Sequence, residues 1–106
     1  MFDFLKKMTG MESETVDLAQ LARAGAQIVD VRSPEEYRGG HVKGSVNIPL
    51  NELDRSLSRI RRDKPVITCC ASGMRSASAK AVLQRHGYEN VHNGGGWSGL
   101  QRRLVA

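Results

Sequence analysis

Pro65-Val66-Ile67-Thr68-Cys69-Cys70-Ala71-Ser72-Gly73-Met74-Arg75-Ser76 decides how this chain is read. Residues 65–69 are apolar or β-branched and make the best strand pattern in the sequence. A cysteine stands where that strand ends, a short loop with a glycine follows, and a helical pattern begins. From Ser76 to His86 this helix carries Ala79, Val82, Leu83 and His86 on one face, with Gly87 as its stop. Strand, short loop and helix form part of a parallel βαβ arrangement, which needs further strands to pair with.

The flanking sequence supplies them. Upstream, Gln27-Ile28-Val29-Asp30-Val31 reads as a buried strand, and Ser33-Pro34-Glu35-Glu36 as a helix start with proline at the first position. Thr15 or Asp17 can cap a short helix carrying Leu18, Leu21 and Ala22, stopped by Gly25. Val46-Asn47-Ile48-Pro49 is a second short strand. Asn51 is expected to cap a helix with Leu53, Leu57 and Ile60 on one face. Downstream, Val91-His92 gives a last strand. Gly94-Gly95-Gly96 is expected to turn the chain into a terminal helix anchored by Trp97, Leu100 and Leu104. The alternation predicts an α/β domain with a small central parallel sheet flanked by helices on both faces.

The composition fits one such domain. The chain has 106 residues, 40% of them apolar but only 5% aromatic, so the core must be built mainly from Val, Ile, Leu and Ala. No run approaches the ~18–20 apolar residues of a membrane span, and no membrane association is expected. Residues 1–13 read as a short N-terminal arm. Asp3 comes early, Lys6 and Lys7 follow the apolar residues, and Thr9-Gly10 ends the run, unlike a secretory signal. The adjacent Cys69 and Cys70 cannot build a disulfide framework, which favours a reducing, cytoplasmic setting. Net charge is +5, unevenly placed: residues 1–54 hold six Lys/Arg against nine Asp/Glu, residues 55–106 ten against two. Such a field suits a small anion, a nucleic acid or an acidic partner. The scarcity of stacking aromatics argues against nucleic acid.

The chemistry converges on the strand-to-loop junction. In open α/β sheets ligands bind at the carboxyl edge of the strands. Backbone amides of the loop and first helical turn form an anion nest there, backed by the helix dipole, so the Cys70 thiolate is favoured. Arg75 cannot lose its charge and can hold the loop or an incoming anion. Cys69 reads as a small buried hydrophobe, pointing to the opposite side of the strand from Cys70. No third or fourth soft ligand lies near the cysteines, so neither a metal nor a cofactor is implied. His41 is expected to support loop packing, and His86 and His92 to be incidental. Asp30 and Arg32 are expected to make structural ion pairs, for example Arg32 with Glu36. The cluster Arg55, Arg59, Arg61 and Arg62 reads as a solvated face that could dock an acidic partner.

From about Thr15 to Leu104 the sequence resembles the single-domain rhodanese (thiosulfate sulfurtransferase-like) family. Four pieces carry the resemblance. They are Asp30-Val31-Arg32-Ser33-Pro34-Glu35-Glu36-Tyr37, Gly40-His41-Val42-Lys43-Gly44-Ser45-Val46-Asn47-Ile48-Pro49, the loop Cys70-Ala71-Ser72-Gly73-Met74-Arg75-Ser76, and Gly94-Gly95-Gly96-Trp97. The resemblance implies a rhodanese-like domain over residues 14–106 and a persulfide intermediate on Cys70. Amides of the loop through Ala71, Ser72, Gly73, Met74 and Arg75 would cradle it. The donor would be a small anion such as thiosulfate, or a persulfide, and the acceptor cyanide or a thiol, with the protein acting as a monomer. The runner-up reading is a sulfur-relay or regulatory module that hands its persulfide to a protein acceptor.

Loop length separates this reading from another. The same fold hosts cell-cycle dual-specificity phosphatases, whose loop between cysteine and arginine is one residue longer and fits a phosphate. The tighter ring of amides here suits a terminal sulfur atom. One departure from the family pattern bears on kinetics. Many rhodanese loops place Arg or Lys directly after the cysteine, whereas this chain has Ala71, and Met74 adds an apolar wall before Arg75. Weak thiosulfate binding is expected to follow, with a preference for less charged sulfane donors.

Overall fold

A computed structural model of the chain describes residues 16–105. The proposed arm at residues 1–13 and a cap at Thr15 lie outside them. The elements run α1 Leu18–Arg23, β1 Gln27–Asp30, α2 Pro34–Arg38, β2 Val46–Asn47, and two 3-10 turns, Leu50–Arg55 and Leu57–Arg59. They continue with β3 Val66–Cys70, α3 Met74–Arg85, β4 Val91–Gly96 and α4 Trp97–Val105. Asp17 caps α1 by accepting from the Gln20 amide at 3.1 Å. The helix start expected at Ser33-Pro34 is found, and Ser33 and Glu36 add a reciprocal capping box to it.

The four strands pair in parallel in the order β2-β1-β3-β4. Strand alternation sorts their side chains into two cores. Val29, Val66 and Cys70 pack with Leu53, Ile60, Ala79 and Leu83 on the side of α3 and the 3-10 turns. Ile28, Ile67 and Cys69 pack with Leu18, Val42 and Leu100 on the side of α1 and α4, where Trp97 and Leu104 join them. Helices therefore cover both faces. Among the described residues no helix is long and apolar enough to cross a membrane.

Three local expectations need correction. The segment after β2 is not an Asn51-capped α-helix. It starts at Pro49, is pinned by the Leu50 amide on the Val31 carbonyl at 3.1 Å, and winds as 3-10 turns interrupted at Ser56. A 3-10 turn stacks residues three apart, so Leu50 shares a face with Leu53, and after the break at Ser56 Leu57 and the extended Ile60 return to the same core. Gly94-Gly95-Gly96 does not turn the chain but extends β4 beside β3. Only glycine fits this close approach: a Cβ at Gly94 would stand 2.8 Å from the Thr68 carbonyl, and one at Gly96 2.7 Å from the Ala71 carbonyl. His86 is the exposed C-cap of α3, where its amide closes the last turn, rather than part of the apolar face.

Candidate active site

In this strand order β2 and β3 leave β1 on opposite sides, and the crevice beyond the carboxyl ends of β1 and β3 is where such sheets take ligands. Cys70 ends β3 at that edge. Its loop turns through Gly73, whose φ of 102° lies in the left-handed region, and α3 starts at the next residue. This turn folds the loop amides back over the sulfur. The Gly73 N–H donates to Cys70 Sγ at 2.9 Å and the Ser76 N–H at 3.3 Å, with the Ser76 hydroxyl 3.5 Å away. Burial alone would push the thiol up. The Ser76 hydroxyl and the amides of Ser76, Gly73 and Ser72 outweigh it and leave the thiol below its ordinary value. Ala71 and Ser72 are exposed on the rim, as is Met74 at 78%.

The neighbouring thiol is different. Cys69 is fully buried on the other face, and burial pushes it to about 12, with the Asp30 charge adding to the rise and Arg32 opposing it. One strand thus carries a tuned thiol and an inert one side by side.

Three anchors hold the loop. Thr68 Oγ1 donates to the Ser76 carbonyl at 2.9 Å beneath it. Asn93, on β4, accepts from the Ser76 hydroxyl at 2.6 Å and from the Gly95 amide at 2.9 Å, and donates to the Gly73 carbonyl at 3.2 Å. Arg75 turns away from the sulfur and meets Glu36 at the start of α2. The expected pairing of Arg32 with Glu36 is replaced accordingly. Arg32 instead binds Asp30 at 2.7 Å in a buried pair, and its guanidinium also donates to the Gly40 carbonyl. Two residues apart, Asp30 and Arg32 need only a local bend to meet, and the carboxylate also accepts the Arg32 amide.

His41 stacks on Tyr37 with ring centroids 3.7 Å apart, and its Nδ1 lies 2.7 Å from the Tyr37 carbonyl, a packing role away from the sulfur. His92 pairs with the Asn90 side chain. Of the arginine cluster, Arg61 pairs with exposed Asp63 and Arg62 covers the Tyr88 ring. Sequence reasoning missed Asn93 and the hydroxyl of Ser76. An asparagine before three glycines reads as a turn, and only the pairing of β4 with β3 brings it under the loop.

Comparison with known proteins agrees with this geometry. The rhodanese-like domain family matches residues 14–103. Thiosulfate sulfurtransferase PspE of Escherichia coli is 41% identical over 70 residues, 64% of this chain and 67% of that protein. The uncharacterized YqhL of Bacillus subtilis is 43% identical over 74 residues, 67% of this chain but 59% of its own length. A solved rhodanese with anions from E. coli superposes with a TM-score of 0.65 at 37% identity, covering 70% of this chain and 89% of that one. With the family matched across nearly its whole length, the chain belongs to the rhodanese-like domain family.

Proposed function

We propose that the chain is a sulfurtransferase that carries sulfane sulfur as a persulfide on Cys70. The observation that carries this reading is the pair of amide hydrogens from Gly73 and Ser76 aimed at Cys70 Sγ. They stabilise the negative charge that Cys70 Sγ carries as the attacking thiolate and regains when the outer sulfur is handed on. The Cys70 thiolate attacks the outer sulfur of thiosulfate, or of a persulfide donor. The S–S bond of thiosulfate breaks with its electron pair on the departing sulfite, leaving Cys70–S–S⁻. Cyanide or a thiolate then attacks the outer sulfur, and the pair from the second S–S bond returns to Cys70. The name of PspE supports thiosulfate as one donor. The gap of Ala71, Ser72, Gly73 and Met74 before Arg75 favours sulfur over phosphate, so aryl phosphates should not be turned over.

Mass spectrometry after incubation with thiosulfate tests the reading. One sulfur atom should be gained, removable by reductant and located on the Cys70 peptide, and Cys70→Ser should abolish both gain and turnover. Sulfur on Cys69, or activity surviving in Cys70→Ser, would overturn the assignment.

A further inference from the structure

A cleft of about 540 Å³ opens beside the loop, within the range that takes small organic ligands. Val31 of its wall belongs to the same core cluster as Cys70, and Leu50 packs against that cluster. The Val31 amide in its wall donates to the Cys69 carbonyl at 3.0 Å, one residue from Cys70. Arg75, on another wall, directly precedes Ser76, whose amide holds the sulfur. Val31, Pro34, Pro49 and Leu50 make its surface mainly apolar, with Asn51 and Glu52 at one end.

Size and charge both mismatch thiosulfate. That ion has a handful of heavy atoms and two negative charges, and would leave most of an apolar cleft empty. Among the described residues the cleft's one cation is Arg75, which already has both guanidinium branches on Glu36, at 2.8 and 3.0 Å. Glu52 makes no ion pair among the described residues, and Arg55, three residues on in the same 3-10 turn, stands outside the lining, so the unpaired charge among the lining residues is negative. Arginines of the basic half beyond a screening length of ~8 Å do little here at physiological salt.

We propose that this cleft seats the carbon skeleton of a small organic thiol acceptor, and that Glu52 selects neutral or cationic tails over anionic ones. The proposal rests on Cys70 as persulfide carrier. In the transfer the acceptor thiolate attacks the outer sulfur of Cys70–S–S⁻. A new S–S bond forms on the acceptor, and the old one breaks with its electron pair on Cys70. The products are an organic persulfide and the Cys70 thiolate, with no outside oxidant or reductant.

The test loads the protein with one sulfur from thiosulfate. The loaded protein is then discharged with cysteamine, 2-mercaptoethanol or 2-mercaptoethanesulfonate, short thiols with cationic, neutral and anionic tails. Rates for Glu52→Lys are divided by those of the unmodified protein, which cancels each thiol's own reactivity. The ratio of anionic to cationic discharge should rise roughly tenfold and shrink in high salt. An unchanged ratio overturns the charge selection. Asn51→Trp, which narrows the cleft from an exposed position, should slow all three thiols about tenfold while leaving discharge by diatomic cyanide within about twofold. Equal losses for cyanide and thiols, or none for the thiols, overturn the subsite. Absence of sulfur on Cys70 at the loading step is a separate result, and it overturns the persulfide reading itself.

Discussion

Glu36 grips Arg75 with both carboxylate oxygens, Oε1 accepting from Nη1 at 2.8 Å and Oε2 from Nη2 at 3.0 Å. The same Oε1 accepts the Ser33 amide that closes the capping box of α2. One side chain therefore joins the start of α2 to the start of α3 and fixes where the sulfur-bearing loop sits.

Glu36→Gln separates these roles, because glutamine keeps the capping box and loses the charge. The Arg75 hydrogen bonds, followed by the Ser33 amide, hold the Glu36 carboxyl at about 2 against an ordinary 4.5. A depressed carboxyl stabilises the fold above its unfolded value and loses that contribution as pH falls through its folded value. The urea midpoints of wild type and Glu36→Gln should therefore differ above pH 4.5, converge as pH falls toward 2, and coincide below it. Sulfur transfer near neutral pH should fall between about ten- and a hundredfold as the loop shifts.

Ser76→Ala removes the hydroxyl beside Cys70 while keeping the Ser76 amide. In the thiol form that hydroxyl gives its proton to Asn93 and accepts from Cys70 Sγ, so it favours the thiolate only by turning its proton back to the sulfur, and without it the thiol should become less acidic. The pH profile of iodoacetamide alkylation reads this directly, since Cys69, held at about 12, stays silent across the range. An unmoved profile would show that the amides alone set the thiolate.

Cys69→Ala should leave most of the transfer activity, at a cost in stability of about 1 kcal/mol for a small buried void. Its sulfur and that of Cys70 belong to cores on opposite faces of the sheet. Mild oxidation should accordingly yield no two-proton mass loss confined to the Cys69–Cys70 peptide.

The glycines of β4 should respond differently to a methyl group. Gly94→Ala presses on Ile67, Thr68 and Leu100 inside the core and should cost about 1–3 kcal/mol in denaturant unfolding. Gly96→Ala meets the Ala71 carbonyl and should move the loop, lowering turnover by a larger factor than its effect on stability explains.

Ala71→Arg supplies the cation that the rim lacks next to the cysteine. Ala71 is exposed, so the gain is a screened contact worth on the order of 1 kcal/mol. The Michaelis constant for thiosulfate should fall several-fold to tenfold, that for a neutral persulfide donor less, and added salt should erase part of the difference.

The fold was legible where side-chain period and secondary structure agree. Val66 to Cys69 and Gln27 to Asp30 read as strands because they are buried on both faces, and the start of α2 announces itself in Ser33-Pro34. Legibility failed where tertiary contact decides. A 3-10 turn and an α-helix bury Leu53 equally well, so the pattern alone could not choose between them. The glycines at 94–96 look like a turn until β3 and Ala71 are laid against them. At the site, Cys70 and its loop were visible as a local string, whereas Asn93 and the Glu36–Arg75 pair depend on residues brought together from 17 and 39 positions away.

The Arg32 guanidinium lies 4.9 Å over the ring of Trp97 while its carboxylate partner, Asp30, sits at the end of β1. The indole edge presses on Gly40, whose carbonyl Arg32 also holds. Trp97 is the one tryptophan in the chain, so all its indole emission comes from this place. Light emitted from the α4 face is thereby tied to the charge arrangement at the β1 edge of the crevice. A donor that shifts Arg32 changes the electric field across the indole and so its emission colour. The Trp97 emission maximum recorded before and after incubation with thiosulfate therefore reports whether the donor moves Arg32.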